Sequence, residues 1–280
     1  MIILVTGAKG QLGSDVVKEL TARKIEAVPA DLDDFNITDK TDTLRYITHL
    51  NPDAVIHCAA YTAVDKAEEE PEVCIAVNFT GSINVAEACE AAGAKLVYIS
   101  TDYVFGGQGS EPYETDSPKN PLSTYGKSKL MGEEAVQNCC SRTFIVRTSW
   151  VFGKNGGNFV KTMLKLGADK ESITVVRDQV GSPTYTPDLA SLLCDMIQTE
   201  KYGVYHATNE GLCSWAEFAE EIMKQADLPA KIIPVTTEEY KAKAARPLNS
   251  RLSKASLDKA GFKRLPPWQD ALKRFLAELK

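Results

Sequence analysis

The chain has 280 residues, of which 44% are hydrophobic and 25% charged, and its 32 basic and 38 acidic residues give a net charge of −6. This composition is typical of a globular protein with one large domain or two unequal ones. No basic run is long enough to follow a nucleic-acid backbone, and no apolar run approaches the roughly 18 residues of a membrane span. We therefore expect a cytoplasmic protein with neither nucleic acid nor a membrane as a partner.

Cysteine and histidine usage agrees with this expectation. The seven cysteines are odd in number and include no C-x-x-C pair, which is typical of reduced structural thiols. The three histidines are scattered singly, without the spacing of a zinc site. No metal ligands are predicted.

The first half of the chain alternates short apolar runs with amphipathic segments. The predicted strands are IILVT, EAVPA, DAVIHCA, KLVYIS and TFIVRTS. Continuous apolar strands are typical of strands buried on both faces, and their alternation with helical patterns predicts a parallel sheet. The predicted fold class is therefore α/β, with a doubly wound parallel sheet of the Rossmann type.

A glycine-rich turn, VTGAKGQLG, follows the first strand and opens the first helix. Glycines here let the backbone approach a pyrophosphate, and the helix N-terminus supplies free N–H groups. Glycines that serve only a tight turn and close helix packing would give the same pattern. The position directly after the first strand favours dinucleotide binding, so we predict that Gly7 and Gly10 contact a cofactor, with Gly13 in the same turn.

The second predicted strand ends at Asp31, about twenty residues after the glycines, where a carboxylate can accept hydrogen bonds from an adenosine ribose. A carboxylate would repel a 2′-phosphate, so NADH is favoured over NADPH. Lys9 or Arg23 would offset that repulsion. The neighbouring Asp33 and Asp34 fit a solvated turn equally well.

The next two predicted strands also end in residues suited to a ligand. Ala59 and Ala60 follow the third strand and are small enough for a flat cofactor to lie against the backbone, although an ordinary turn explains them equally well. The fourth strand ends in ISTDY, which brings the Thr101 hydroxyl to the carboxyl edge of the sheet. Open α/β sheets bind ligands at this edge.

The segment STYGKSKLMGEEA places Tyr125 four residues before Lys129, so the two side chains share one face of a predicted helix. An ammonium beside a phenol lowers the pKa of the tyrosine from about 10. We predict that Tyr125 gives a proton to a carbonyl oxygen, that Thr101 hydrogen-bonds that oxygen, and that Lys129 holds the nicotinamide ribose. The spacing alone also fits a lysine lying along a half-buried tyrosine. Its order after the glycine turn and the strand-end hydroxyl favours catalysis.

The sequence pattern changes after the fifth predicted strand. Loops rich in Gly, Asn and Pro alternate with the short strands ITVV and GVYHA and with helices around SWAEFAEEIMKQA and PWQDALKRFLAEL. This pattern predicts a smaller C-terminal α/β lobe that covers a cleft. We expect the dinucleotide-binding domain at 1–152, with about 186–207 returning to it, and the substrate-binding lobe at 153–185 and 208–280.

Together these motifs resemble the short-chain dehydrogenase/reductase superfamily, in its extended branch that acts on nucleotide sugars. The segments AAYTAVDKAE, STDYVFGG, YGKSKLMGE, RTSWVFG, GGNFVKTML, DQVGSPTYTPDLA and RPLNSRL are similar, nearly end to end, to the dTDP-4-dehydrorhamnose reductases. Those enzymes use NADH or NADPH to reduce the 4-keto group of a dTDP-4-keto-6-deoxy-L-sugar, which completes dTDP-L-rhamnose synthesis. The resemblance implies a dTDP-sugar substrate here, and a homodimer is left open.

The resemblance also implies roles for individual residues. The implied cofactor contacts are Gly10, Gln11 and Leu12 at the pyrophosphate, Asp31 at the adenosine ribose, Asn36 and Ile37 near the adenine, and Ala60, Tyr61 and Thr62 beneath the cofactor, with Tyr125 and Lys129. The implied catalytic residues are Thr101, Tyr125 and Lys129. The implied substrate contacts are Thr101, Asp102, Tyr103 and Trp150 at the sugar and Arg246 and Asn249 at the nucleotide end.

Two positions depart from the family pattern. The family often has aspartate where Asn36 stands, and DYVFGG replaces the family's DYVFDG. For the substrate contacts, Trp150 is equally consistent with a core tryptophan, Arg246 with a surface cation, and Arg251 is the alternative diphosphate ligand.

Two rival functions remain open at this point. One is another reductase, an epimerase or a dehydratase of nucleotide sugars. The other is a non-catalytic relative similar to the regulatory subunit of methionine adenosyltransferase, against which the intact Thr101, Tyr125 and Lys129 argue.

Overall fold

The computed structural model describes residues 1–241 and 244–280. The strands are β1 (Ile2–Thr6), β2 (Glu26–Ala30), β3 (Ala54–His57), β4 (Lys95–Thr101), β5 (Thr143–Thr148), β6 (Val151–Phe152), β7 (Ser172–Val176), β8 (Val180–Gly181), β9 (Thr184–Tyr185), β10 (Gly203–His206), β11 (Asn209–Glu210), β12 (Cys213–Ser214), β13 (Lys231–Val235) and β14 (Leu265–Pro267). The helices are α1 (Gln11–Ala22), α2 (Lys40–Leu50), α3 (Val64–Ala67), α4 (Pro71–Ile75), α5 (Gly81–Ala92), α6 (Thr124–Cys139), α7 (Phe159–Asp169), α8 (Thr186–Met196), α9 (Trp215–Ala226), α10 (Thr237–Tyr240), α11 (Ala255–Ala260) and α12 (Trp268–Glu278). A π turn (Ala76–Thr80) joins α4 to α5, and a 3-10 turn (Asp102–Val104) follows β4.

A six-stranded sheet forms the centre of the molecule, in the order β10-β5-β4-β3-β1-β2. All of its pairings are parallel. The chain runs from β1 to β2 on one side and then returns to β3 on the other, so the strand order reverses between β1 and β3. The carboxyl ends of the strands at such a reversal are where open α/β sheets bind ligands.

The apolar strand sequences account for burial on both faces of the sheet. Ile3 and Val5 of β1 pack in the cluster that contains α1 and α8, whereas Leu4 packs in the cluster that contains α2 and α5. Successive residues of a strand point to opposite faces, so a continuous apolar run supplies both cores. The predicted doubly wound α/β fold is confirmed.

A second core lies in the C-terminal part of the chain. It contains many aromatic side chains, including Phe152, Phe218 and Phe275, and is framed by α7, α9, α12 and the parallel pair β7 and β13. In the part expected to return to the first domain, α8 packs on α1 and β10 pairs with β5. Leu257 and Leu265, from the range assigned to the lobe, also pack in the cluster under the main sheet. We keep the two-domain division as a proposal.

Candidate active site

The glycine turn lies at the sheet edge where the strand order reverses. Gly7 has a φ of +65°, and a Cβ there would lie 2.7 Å from Ala59 Cα. A Cβ on Gly13 would lie 2.2 Å from the Gly7 carbonyl oxygen. Only glycine fits either position. The turn therefore holds the N-terminus of α1 close to the ends of β1 and β3, with Gly10 as its N-cap residue and no side chain capping it.

A cavity of about 320 Å³ opens between this turn and the end of β2. Its lining includes predicted cofactor residues Gly10, Asp31, Asn36, Ile37 and Ala60. The Asp31 carboxylate accepts a hydrogen bond from the Lys9 backbone N–H at 3.0 Å, which ties the end of β2 to the glycine turn. This arrangement suits an adenosine moiety.

Lys9 and Arg23, the two cations that could offset the charge of Asp31, differ in position. Lys9 is exposed and pairs with Asp33 beside this cavity. Arg23 instead binds Glu19 and Asp195 on α1 and α8. Of the two, Lys9 is the one that can reach a group bound next to Asp31.

A larger cavity of about 570 Å³ lies over the carboxyl ends of β3, β4 and β5. It is lined by predicted residues Gly10, Gln11, Leu12, Ala60, Thr62, Thr101, Asp102, Tyr103, Tyr125, Lys129 and Trp150. Gly10 and Ala60 also line the smaller cavity, so the two cavities meet along the glycine turn. Tyr61 lines neither: Asn78 binds its backbone, and its hydroxyl donates to Glu70 at 3.2 Å.

The start of α6 brings the predicted catalytic residues together. Ser123 caps this helix by accepting a hydrogen bond from Gly126 N at 3.1 Å. A Cβ on Gly126 would lie 2.4 Å from the Tyr103 carbonyl oxygen, so glycine lets the helix approach the turn after β4. Tyr125 and Thr101 consequently line the same cavity, and the Thr101 hydroxyl lowers the pKa of Tyr125 in part. The Tyr103 ring packs edge-on against Tyr125 at 5.5 Å.

Burial moves the pKa values of the pair in opposite directions. It raises the pKa of Tyr125 above its ordinary range, although the hydrogen bond with Thr101 lowers it in part. It lowers the pKa of Lys129 to about 7, against the opposing charge of Glu133. The expected lowering of the pKa of Tyr125 was therefore wrong, because loss of solvent outweighs the opposing effect, which comes from the Thr101 hydroxyl.

Asp102 is a buried carboxylate in the wall of the larger cavity. Burial raises its pKa to about 6, while hydrogen bonds with Ser250 and Thr101 lower it. Its Oδ1 accepts from Thr101 Oγ1 at 3.0 Å. Its Oδ2 has no hydrogen-bond partner among the residues that the structure describes. An unpaired buried oxygen on a residue that lines a cavity is a candidate to accept a hydrogen bond from a ligand hydroxyl.

Trp150 also lines this cavity and has a left-handed backbone conformation, with a φ of +50°. Its ring stacks on Trp215 with centroids 3.8 Å apart. A strained tryptophan whose ring is fixed by a second aromatic presents a rigid apolar face to the cavity. Sequence reasoning missed Trp215, because nothing in its helix-start context distinguishes it from a core residue.

The predicted nucleotide-end residues lie elsewhere. Arg246 borders a third cavity of about 200 Å³ that shares Phe159 and Trp215 with the larger one. Its guanidinium binds Asp65 through two hydrogen bonds of 3.0 and 2.6 Å.

The structure does not bring Asn249 into any of these cavity linings. Its amide donates to the carbonyls of Gln108 and Glu111, and its Oδ1 accepts from Arg251 Nη1 at 3.0 Å. Asn249 and Arg251 thus hold the surrounding loops.

Sequence reasoning also missed three buried residues behind the cavity, namely Glu133, Arg147 and Asn78. Glu133 binds Arg147 and Ser100 directly below Lys129. Its position four residues after Lys129 could have indicated that it lies on the same face of the helix. Asn78, in the π turn, binds Tyr61 and Ser128, and its sequence context gave no such signal.

Some classes of site are not found in the part of the chain that the structure describes. No group of three or more His, Cys, Asp or Glu side chains within 1–241 and 244–280 is arranged to hold a metal ion. In the same ranges, every helix is too short or too polar to cross a membrane.

Comparisons with known proteins assign the chain to a family. The family model described as RmlD substrate binding domain matches residues 1–280. The spore coat polysaccharide biosynthesis protein SpsK of Bacillus subtilis is 43% identical over 99% of this chain and 97% of its own length. A dTDP-4-dehydrorhamnose reductase of Streptomyces griseus is 40% identical over 96% of this chain and 91% of its own length.

A solved structure extends the likeness to the fold. The dTDP-4-dehydrorhamnose reductase of Bacillus anthracis str. Ames, in complex with NADP, superposes with a TM-score of 0.96 at 44% identity and covers 99% of both chains. The family model, the sequence identities and this superposition agree, and the chain belongs to the dTDP-4-dehydrorhamnose reductase family within the short-chain dehydrogenase/reductase superfamily.

Proposed function

We propose that this protein uses NADH or NADPH to reduce the 4-keto group of dTDP-4-dehydro-6-deoxy-L-mannose, giving dTDP-L-rhamnose. The observation that carries the proposal is the single cavity that Thr101, Tyr125 and Lys129 line together with Gly10 of the glycine turn. A proton donor, a second hydroxyl and a cofactor cradle thus converge on one space. Family membership supports the same reaction.

The residues present fit a nicotinamide dinucleotide. The glycine turn leaves no room for a side chain at Gly7 or Gly13, and the free N-terminus of α1 suits a pyrophosphate. The cavity beside Asp31 would take the adenosine end, and the larger cavity the nicotinamide end. When bound, the reduced cofactor supplies a hydride to the sugar carbonyl carbon.

The protein's own residues complete the reduction. Tyr125, kept neutral by burial, donates its hydroxyl proton to the carbonyl oxygen, which becomes the new hydroxyl group. Thr101 hydrogen-bonds the same oxygen and orients it. Lys129 holds the nicotinamide ribose, and Asp102 accepts from a sugar hydroxyl. Trp150 offers its apolar face to the 6-deoxy methyl group.

The remaining substrate contacts belong to the nucleotide end. The cavity beside Arg246 shares two lining residues, Phe159 and Trp215, with the sugar cavity. This shared wall supports a nucleotide lying there. Arg246 is the proposed diphosphate ligand, which would compete with its contact to Asp65. Asn249 is proposed to act indirectly, by holding the loop that precedes Arg251.

Both cofactors are proposed as substrates. Asp31 favours NADH, since its charge opposes a 2′-phosphate, whereas Lys9 can leave Asp33 to pair with such a phosphate. The Bacillus anthracis relative was solved with NADP. That relative supports acceptance of NADPH here and weakens the NADH preference expected from Asp31 alone.

The direct test incubates the purified protein with NADH or NADPH and either dTDP-4-dehydro-6-deoxy-L-mannose or its D-gluco isomer. We expect one cofactor oxidised per L-sugar consumed, and at least about tenfold slower oxidation with the isomer. Isomerisation of the sugar without cofactor oxidation would indicate an epimerase. Absence of any turnover would favour a non-catalytic role.

A further inference from the structure

A buried ionic cluster lies one helical turn beyond Lys129. Lys129 and Glu133 share the inner face of α6 and are only 2% and 1% exposed. Glu133 accepts hydrogen bonds from Arg147 Nε at 2.8 Å and Nη2 at 2.7 Å, and from the Ser100 hydroxyl. The carboxylate is therefore fixed by these three hydrogen bonds, and Glu133 is not among the residues that line the larger cavity.

Stability alone is a weak explanation for this cluster. Buried ion pairs are often no more stabilising than apolar side chains of similar size, because both charges lose their hydration. Glu133 and Arg147 nevertheless stand directly behind the catalytic face of α6. A buried charge in that place acts on the ionisable group one helical turn away on the same face of α6.

Lys129 is that group. The titratable and charged groups that face it from the surrounding elements, within the described residues, are His57 and Cys58 at β3, Cys74 on α4, Tyr98 on β4, Asp102 after β4, and Tyr125 and Glu133 on α6. Burial lowers the pKa of His57 to about 3 and raises those of the two cysteines, so these three are neutral. The Tyr98 ring faces the Lys129 ammonium at 4.1 Å.

We infer that Glu133, oriented by Arg147 and Ser100, is a positioning residue that keeps Lys129 as an ammonium ion in the closed, poorly hydrated site. Lys129 needs its positive charge to hold the cofactor ribose, which is the role proposed for it above. The pKa of Lys129 of about 7 already includes the favourable charge of Glu133. Without that charge, Lys129 would lose its proton at a lower pH.

The inference rests on the proposed reductase activity, and the test compares Glu133→Gln with Glu133→Asp. Both substitutions disturb the contacts with Arg147, but only glutamine removes the charge. The readouts are the pH profile of kcat/KM for the sugar at saturating NADPH and the pH dependence of NADPH binding, measured by fluorescence. In Glu133→Gln, the alkaline limb of both curves should move to lower pH by about one unit or more, since a nearby charge shifts a pKa by about one to three units and the unpaired Arg147 acts in the same direction.

Glu133→Asp should keep that limb within about 0.3 units of the unmodified protein. An unmoved limb in folded Glu133→Gln, or equal shifts in the two variants, would overturn the inference. Should Glu133→Gln fail to fold, the double variant Glu133→Gln/Arg147→Gln leaves no unpaired charge and should show a shift in the same direction but smaller, because the opposing charge of Arg147 is lost as well. An unmodified protein that does not turn over would refute the proposed function, whereas an active one with unshifted variants would refute only this role of Glu133.

Discussion

Tyr125 and Lys129 show what residue spacing can and cannot predict. Their four-residue spacing predicted that both side chains share one helix face, and in the structure both line one cavity together with Thr101. It could not predict their ionisation, because the pKa of each group depends on how much water the surrounding fold removes. A phenol that keeps its proton suits a reduction, since the acid must carry a proton when the hydride arrives.

Tyr125→Phe tests the acid role. Removing the hydroxyl should lower kcat by about 10² or more, because positioned acid catalysis contributes about 10²–10⁴. NADPH affinity, measured by fluorescence titration, should stay within about twofold. The matched control is Tyr103→Phe, which removes a hydroxyl from the same cavity and should lower kcat less than tenfold. Near-normal turnover of Tyr125→Phe would assign the proton to another donor.

Asp31→Ala tests cofactor selection at the end of β2. Removing the carboxylate should lower kcat/KM for NADH and raise it for NADPH, so that their ratio changes by about tenfold, the equivalent of one charge-assisted hydrogen bond. Asp31→Asn serves as the control for the turn, since its amide oxygen can still accept from the Lys9 N–H. A ratio unchanged in both variants would move the ribose contact to Asp33 or Asp34.

At the scale of elements, helix α6 depends on close backbone contacts that no sequence pattern revealed. Its existence and inner face followed from the spacing of Tyr125 and Lys129. Its depth against the sheet is set by Gly132, where a Cβ would lie 2.2 Å from the Tyr98 hydroxyl and 2.4 Å from the Asn78 carbonyl oxygen. The π turn that supplies Asn78 was equally hidden, because the sequence reads as one continuous amphipathic segment there.

Gly132→Ala should therefore push α6 away from β4 and misplace Tyr125 and Lys129. We expect Tm to fall by several degrees, in line with a cost of about 1–3 kcal/mol for overpacking, and kcat to fall at least tenfold. Lys127→Ala, on the exposed face of the same helix, should change neither Tm nor kcat appreciably. A fully active and stable Gly132→Ala would show that the contact with β4 is not tight.

At the scale of the whole molecule, the sequence predicted the parallel sheet in detail. It predicted the C-terminal lobe only in outline. Five long apolar strands carry a strong signal, whereas two-residue strands such as β6, β8 and β9 are set by tertiary contacts. The segment that carries Arg246 crosses to Asp65 on α3, so it joins sequence regions about 180 residues apart. Such a contact has no local signature, and the sequence therefore could not locate Arg246 relative to the cavity.

Arg246→Ala tests whether this crossing segment also binds the substrate diphosphate. Loss of a charge-assisted contact worth roughly 1.5–3 kcal/mol should raise KM for the dTDP-sugar about tenfold or more, with unchanged NADPH affinity. Some loss of kcat is expected as well, since remote binding energy helps to orient the keto group. Arg251→Ala, which removes a loop contact, is the matched control. An unchanged KM in folded Arg246→Ala would leave Arg246 only its contact with Asp65.

The most direct test of the account follows the hydride itself. The protein is incubated with dTDP-4-dehydro-6-deoxy-L-mannose and NADPH carrying deuterium at the transferable position, and the product is analysed by mass spectrometry and NMR. We expect dTDP-L-rhamnose with one deuterium, bound to C4 of the sugar. Product without deuterium, or with deuterium at another carbon, would contradict the proposed reduction.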